Sequence, residues 1–323
     1  MQRGSLLDMD QVGDTKYEIR DTRYEIQDQS RVTDRASRIA HPASVWIMGW
    51  DNDYAQDSPV FEPLRVHGGA VFDRRWPDLD DFQRMLDARD PPVCVSSGKP
   101  LRIVRQGPRP AAFEEKYEAR TYLKGELQVR NDHWHDYFNV LVWLAFPRTK
   151  AVLNARHYAA QLEQQAAGAP NRGPAQDALT LFDEGGVIVI SADPDLLQML
   201  REWRWKEVFW SHRERLRTRA RFLLFGHALH EKMLRPFTGV TARGILLDAG
   251  PELLVAPFRE QLATIDEMAA AHLSRPGSLA ATRDLAVVPI LGVPGWLAEN
   301  ERESYYDNLD YFRQGRLREK RDS

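Results

Sequence analysis

The sequence predicts an α+β fold that is predominantly helical, a helix cluster with two small β-hairpins. Apolar residues recur at helical spacing in several long segments, whereas strand-like apolar runs flank a glycine-containing turn in only two places. Strands and helices do not alternate along the chain, and no repeat period is visible. These observations favour helices packed beside small strand pairs over a parallel α/β sheet or a solenoid.

Length and composition are those of an ordinary globular protein. The chain has 323 residues, of which 43% are hydrophobic and 28% charged, so it can bury a substantial core. The net charge of -3 provides no overall attraction to nucleic acid or to an anionic membrane. Cys94 is the only cysteine, which excludes an intrachain disulfide and a cysteine-cluster metal site. Without a long apolar run or an apolar signal core, we expect a soluble, cytoplasmic protein with no membrane partner.

The first 40 residues differ from the rest of the chain. They are strongly charged, repeat the tripeptide Tyr-Glu-Ile at residues 17 and 24, and form no sustained apolar stripe. We therefore expect residues 1–40 to be a disordered tail or an over-extended start. Residues 41–323 are expected to form a single globular domain.

The first elements of this domain are mainly helical. Apolar residues at helical spacing predict a helix over 79–89. Residues 116–130 read as two short strands with Gly125 at the turn between them, which predicts the first hairpin. Two helices follow over about 132–146 and 148–166, because the proline between them ends one helix or begins the next.

The second half repeats this mixture. Residues 178–191 predict the second hairpin, with the turn at 183–186. Asp193 precedes a proline and is expected to cap a helix. Residues 203–234 predict one long helix or two abutting helices, and 257–273 predict another.

Several of these segments resemble a bacterial family known only as domain-of-unknown-function family 3025. The motifs are WHDYFNVLVWLAFPRTK (134–150), LNARH (153–157), LTLFDEG (179–185), FGHALHE (225–231) and PILGVPGW (289–296). The likeness covers most of the chain from about residue 45. It implies no activity, cofactor or catalytic residue, so a functional hypothesis depends on the residues themselves.

Polar side chains on the two central apolar helices form the main candidate site. His135 and Asn139 are four residues apart and share one helix face, and Lys150, Asn154 and His157 share a face of the next helix. An unpaired polar group in a core costs about 1–3 kcal/mol. These side chains therefore form either a hydrogen-bonded core network or a functional site.

In the functional interpretation, His135 is a general base or a ligand of a divalent metal, and Asp136 orients it. Arg148 and Lys150 hold an anionic group of the substrate. The other pocket residues are Asn139, Asn154 and His157. This arrangement predicts an enzyme of hydrolytic type, with the presence and identity of a metal left open.

Two further groups can extend this site. Asp183 and Glu184 offer carboxylates, although acidic residues before glycines are also what a tight turn requires. His227 and Glu231 share a face of a predicted helix, although a helical histidine among apolar residues is often only a core residue. Contact between His227 and the central histidines would favour a functional site.

Two other interpretations stay open. A hairpin followed by histidines and a helix resembles the ββα-metal arrangement of HNH nucleases, but the loop expected between His and Asn and the cysteine pairs are missing.

Residues 201–221 combine tryptophans with arginines, and Arg213, Arg217 and Arg221 would form a basic ridge on a continuous helix. The alternative function is nucleic-acid binding or another interaction through 201–221, which the overall charge does not favour.

Overall fold

The computed structural model describes residues 49–51, 53–54, 58–68, 75–108 and 110–314. The predicted tail lies outside these residues. The structure is 55% helix and 12% strand, with two small sheets, which confirms the mostly helical α+β class. Among the described residues, no helix is both long and apolar enough to cross a lipid bilayer.

The described helices and strands are as follows. The helices are α1 (Glu62–Gly68), α2 (Leu79–Asp87), α3 (Tyr117–Lys124), α4 (Trp134–Ala145), α5 (Pro147–Ala166), α6 (Pro174–Gly185), α7 (Pro194–Arg201), α8 (Arg213–Arg219), α9 (His227–Met233), α10 (Pro251–Val255) and α11 (Phe258–Ser274). The strands are β1 (Arg102–Arg105), β2 (Glu126–Val129), β3 (Gly186–Ser191), β4 (Ala220–Leu224), β5 (Ala242–Asp248) and β6 (Ala286–Val288).

Helix predictions with clear start and stop signals are confirmed. Helix α2 begins after a reciprocal capping box between Asp78 and Asp81. Helices α4 and α5 meet where Pro147 begins the second of them, as the sequence indicates. Asp193 caps α7 by accepting a hydrogen bond from the backbone of Asp195. Helix α11 also matches its predicted range.

The hairpin predicted at 116–130 is wrong. Its first half forms α3, and Gly125 ends this helix in the left-handed conformation with a φ of 70°. Its second half forms β2, which pairs in parallel with β1 rather than with the preceding segment. The turn signal at Gly125 was therefore a helix C-terminus, because glycine serves both geometries.

The hairpin predicted at 178–191 is also wrong. Asp183 and Glu184 lie in the last turn of α6, and the chain continues directly into β3. Strand β3 pairs antiparallel with β4 and parallel with β5, which pairs antiparallel with β6. The four-stranded sheet has the order β4-β3-β5-β6.

The one long helix, or two abutting helices, predicted over 203–234 is interrupted by a π-helical turn and by a strand. A π-helical turn at Glu207–Ser211 precedes α8, and residues 220–224 form β4 because they pair with the buried strand β3. Arg213 and Arg217 lie on α8, but Arg221 lies on β4. The predicted three-arginine ridge therefore does not form.

Helix α4 runs through the core. Eleven of its twelve residues are buried, and it packs against α1, α5 and α9. The exception is His135, whose side chain is 28% exposed, whereas the buried Asp136 and Asn139 have little access to bulk water. The polar residues on α4 must therefore find partners on the helices around it.

Candidate metal centre

Two histidines from distant parts of the chain meet at the start of α4. His135 lies in the first turn of α4, and His227 is the first residue of α9. Their Nε2 atoms are 3.1 Å apart, and their rings are nearly perpendicular, with centroids 4.4 Å apart. The two imidazoles therefore direct the same nitrogen towards one point.

A close backbone contact brings α9 to the end of α6. The backbone N–H of Gly226 donates to the carbonyl of Gly186 at 2.9 Å. A Cβ atom at Gly226 would overlap the carbonyl of Glu184 and the nitrogen of Gly186. Only glycine allows this approach, which places the last turn of α6 beside His227.

The last turn of α6 supplies two carboxylates to His227. An oxygen of Glu184 lies 3.7 Å from its Nε2 atom, on the side that faces His135. An oxygen of Asp183 lies 3.9 Å from its Nδ1 atom, on the opposite edge of the ring. Among the described residues, this buried Nδ1 has no hydrogen-bond partner at normal distance.

His135 has the same arrangement. Its Nδ1 atom lies 3.5 Å from a carboxylate oxygen of Glu231, one turn after His227 on α9. A carboxylate at Nδ1 keeps the proton there and leaves the lone pair on Nε2. Each ring therefore has a carboxylate on its Nδ1 side, at 3.5 Å for His135 and 3.9 Å for His227, and the two Nε2 atoms are within hydrogen-bond distance of each other.

The charge of Asp183 is balanced by a buried lysine. Lys150, which is 4% exposed, places its Nζ atom 2.6 Å from Asp183 Oδ1 and 5.5 Å from the ring centre of Trp143. Burial alone would raise the pKa of Asp183, but the ammonium group lowers it to about 2. Asp183 is therefore an anion held in a fixed position.

The two histidines differ in protonation. Burial lowers the pKa of His227 well below its usual range, so this ring is neutral. Burial also acts on His135, but the carboxylates of Glu231 and Glu184 outweigh it and raise its pKa. Burial raises the pKa of Glu184 as well.

His135, Glu184 and His227 together can hold a metal ion. One potential ligand atom from each lies within 4.8 Å of the other two. Ligands bound tetrahedrally to zinc at 2.0–2.1 Å are about 3.3 Å apart, close to the separation of the two Nε2 atoms. Two imidazoles and one carboxylate are a ligand set that zinc enzymes use, with the fourth position open for water.

A family model described as a protein of unknown function (DUF3025) matches residues 101–316, about two thirds of the chain. The chain belongs to DUF3025. The matched region contains every residue of the candidate metal centre. No curated protein and no solved structure matches the chain.

The DUF3025 fold joins five of the residues predicted from the sequence. His135, His227, Asp183, Glu184 and Lys150 come together where α4, α5, α6 and α9 meet. The predicted contact between His227 and a central histidine is thus present. Asp183 and Glu184 reach it from a helix end rather than from a hairpin tip.

Two of the predicted residues make other contacts in the structure. Asp136 does not orient His135, because its carboxylate accepts hydrogen bonds from the backbone, Nε and Nη2 of Arg130 at 2.7–2.9 Å. Arg148 is paired with Glu267 on α11 at the surface, so it does not hold a substrate beside the histidines. Glu231 lies at His135 Nδ1, the position that we predicted for Asp136.

The remaining predicted residues lie in a second polar layer. Asn139 donates to the hydroxyl of Tyr117 at 2.7 Å, and Asn154 donates to the carbonyl and carboxylate of Glu118. His157 is buried and close enough to Asp183 to influence its pKa. These contacts tie α3 to α4 and α5, so the residues support the centre without forming it.

Sequence reasoning missed Tyr117 and the contact between Glu231 and His135. The spacing of His227 and Glu231 pointed to a shared face, but not to a partner for His135. The sequence predicts a strand at Tyr117, and this residue as a whole is 37% exposed. Burial around its hydroxyl, with the charges of Glu118, Asp136 and Asp183, raises its pKa well above 10.

The basic segment 201–221 loses most of its free charge in the structure. The pairs are Arg204 with Glu202 and Glu207, Lys206 with Glu303 and Asp307, Arg213 with Glu301, Arg215 with Asp193 and Asp195, and Arg217 with Glu214 and Glu301. Trp205 is buried and donates its N–H to the carbonyl of Arg313. These contacts do not favour nucleic-acid binding through this segment.

Proposed function

We propose that this DUF3025 protein is a metal-dependent hydrolase whose ion is held by His135, His227 and Glu184. The observation that carries the proposal is the 3.1 Å approach of two Nε2 atoms, each on a ring with a carboxylate behind it. Metal-binding histidines have this arrangement, because the rear carboxylate fixes the tautomer and increases the basicity of the ligating nitrogen.

A hydrogen bond between the two rings is the competing explanation of the short distance. Charge favours the metal. The carboxylates of Asp183, Glu184 and Glu231 surround the histidines, and Lys150 is the one lysine paired with them among the described residues. Three carboxylates face one paired ammonium group here, and Arg130 and Lys232 act on Glu231 and Glu184 without forming an ion pair with them. A divalent cation bound between the histidines and Glu184 would balance this negative charge and displace the proton from His135.

The residues have distinct tasks in this proposal. His135 and His227 bind the ion, Glu231 orients His135, and Asp183 orients His227 while Lys150 holds Asp183 in place. Glu184 is the third ligand, and its 44% exposure puts it on the solvent side, from which a substrate can approach. A divalent metal bound here would supply a water molecule of lowered pKa as the nucleophile.

A metal ion at this position favours attack of water on an ester, amide or phosphate bond. A cytoplasmic location stays a prediction from the single cysteine.

The test is the metal content of the purified chain after equilibration with zinc or manganese and removal of unbound ions. We expect about one equivalent in the wild type and almost none in His135→Ala or His227→Asn. His212→Ala is the matched control, because His212 is partly exposed and lies near Glu207. Wild-type retention that equals that of His135→Ala would overturn the metal centre.

Hydrolysis of p-nitrophenyl acetate and bis-p-nitrophenyl phosphate then tests the enzyme. We expect activity that disappears on chelation, returns with metal and is absent in His227→Asn. A protein that binds one equivalent of metal but hydrolyses neither probe, nor a peptide library, would restrict the centre to a structural role.

A further inference from the structure

A second candidate site lies away from the metal centre, beside β5 and β6. The groove has a volume of about 660 Å³, within the range of small-molecule sites. Its walls include Arg201 at the end of α7, Trp203 just after it, Arg243 on β5, His272 on α11 and Arg283 before β6. None of these residues belongs to the candidate metal centre.

The arginines of this groove have no carboxylate partners in the part of the chain that the structure describes. Most arginines near residues 204–217 are paired with carboxylates. By contrast, Arg201, Arg243 and Arg283 form no ion pair with any described residue. Asp284 is the acidic residue of the lining, and its carboxylate accepts a hydrogen bond from the backbone of Ala281. The groove therefore has an excess of positive charge.

Two further arginines, Arg275 and Arg156, lie near His272 and add positive charge beside the groove. Burial lowers the pKa of His272, and the charges of Arg275 and Arg156 lower it further. A positive region inside a concave surface attracts small anions more strongly than the same charges on an open face.

Trp203 contributes a flat apolar wall. Its φ is 61°, the left-handed region that a bulky residue rarely adopts. The backbone N–H of Arg204 donates to the carbonyl of Met199, so Trp203 occupies the position after α7 where glycine is usual. A bulky residue therefore lines the groove at a position that its backbone disfavours, with its ring centre 6.0 Å from that of Trp205.

We propose that this groove binds a small organic anion, whose phosphate or carboxylate group contacts Arg201, Arg243 and Arg283 and whose planar part lies against Trp203. Guanidinium groups suit oxyanions because each can donate two parallel hydrogen bonds. The apolar wall favours a ligand with a ring over a bare inorganic ion.

The test is calorimetric titration with phenyl phosphate, benzoate and inorganic phosphate at constant ionic strength. We expect one site, with both ring-bearing anions bound more tightly than inorganic phosphate. The relative affinities of phenyl phosphate and benzoate identify the preferred oxyanion. Arg243→Ala is expected to weaken binding about tenfold, as loss of a charge-assisted contact would. Arg105→Ala is the matched control, because Arg105 is exposed on β1, outside the groove.

Further variants keep the result interpretable. Arg283→Ala lies in an exposed 3₁₀ turn and gives the same readout if Arg243→Ala does not fold. Trp203→Gly suits the left-handed backbone and should remove only the preference for the ring. His135→Ala should bind phenyl phosphate as the wild type does. No binding of any probe, or equal weakening in Arg243→Ala and Arg105→Ala, would overturn the proposal.

Discussion

The Nε2 atoms of His135 and His227 lie 3.1 Å apart, although 92 residues separate them in the sequence. The contact depends on a buried helix that carries His135 and on a glycine that lets α9 approach α6. Each ring has a carboxylate on its Nδ1 side, and the two Nε2 atoms meet beside Glu184. The predictions below test the parts of this arrangement separately.

Glu231→Gln should weaken metal binding without unfolding the protein. The neutral amide still fills the space, but it no longer fixes the Nδ1 proton of His135 as strongly. Loss of such a partner reduces metal affinity about 10- to 100-fold. Competition with a chromophoric chelator measures this change, with Glu163→Gln on the exposed face of α5 as control.

The same variant has a readout that a structural role would not change. In the metal-free protein, the pKa of His135 should fall, because Glu231 helps to raise it. An NMR titration of the histidine ring protons measures this directly. An unchanged His135 pKa in Glu231→Gln would show that the two side chains do not interact in solution.

Gly226→Ala should disrupt the centre, whereas Gly185→Ala should not. A Cβ at Gly226 overlaps the backbone of Glu184 and Gly186, so α9 must move away from α6. We expect a loss of about 2 kcal/mol in unfolding free energy. Metal affinity should fall in parallel. Gly185, the last residue of α6, has nothing within 4 Å of its added Cβ. Equal denaturation midpoints for the two variants would contradict the close-approach argument.

Lys150→Met should be strongly destabilising, because it leaves the buried carboxylate of Asp183 without its cation. Removing one partner of a buried ion pair costs about 3–5 kcal/mol. The double variant Lys150→Met, Asp183→Asn should recover part of this loss, since both charges are then absent. Urea denaturation of the four proteins gives the coupling free energy. Additive losses would mean that the pair is not coupled.

The metal-free protein should lose stability as the pH falls below about 6.5. Burial lowers the pKa of His227 well below its usual range and that of His230 to about 3. The unfolded chain therefore binds protons that the folded chain does not, and each contributes a slope of about 1.4 kcal/mol per pH unit. His135 acts in the opposite sense, because its pKa is raised, and its contribution is already complete below the unfolded pKa.

His230→Leu isolates one of these protons. His230 packs between the rings of Phe61 and Phe138, so leucine keeps the packing apolar. We expect the slope of the unfolding free energy against pH, between pH 6 and pH 4, to fall by about 1.4 kcal/mol per pH unit, which is the contribution of one proton. Asp183 does not disturb this window, because its contribution is lost only as the pH falls from about 3.8 to about 2. A slope equal to that of the wild type would argue against a neutral buried His230. His212→Ala is the control, because His212 is partly exposed.

The sequence predicted the helices that place the site, but not all of its geometry. Spacing on α4 identified His135, and spacing on α9 joined His227 to Glu231, because helical periodicity is a local property. Which helices touch depends on packing. Gly226 decides that contact, and a single glycine in a sequence does not reveal what approaches it.

Two errors have a common physical cause. The sequence predicts hairpin turns at Gly125 and at Gly185-Gly186, but each lies where a helix leads directly into a strand. Strands β2 and β3 find their partners far along the chain, in β1, β4 and β5. Tertiary pairing therefore overrode the local turn signal. The same effect converted residues 220–224 from helix to strand.

The most direct test is a crystal structure of zinc-soaked protein with data collected above and below the zinc absorption edge. The account predicts one anomalous peak about 2.1 Å from the Nε2 atoms of both His135 and His227, with a carboxylate oxygen of Glu184 as a further ligand. An absent peak, with the two nitrogens still 3.1 Å apart and joined by a hydrogen bond, would contradict it.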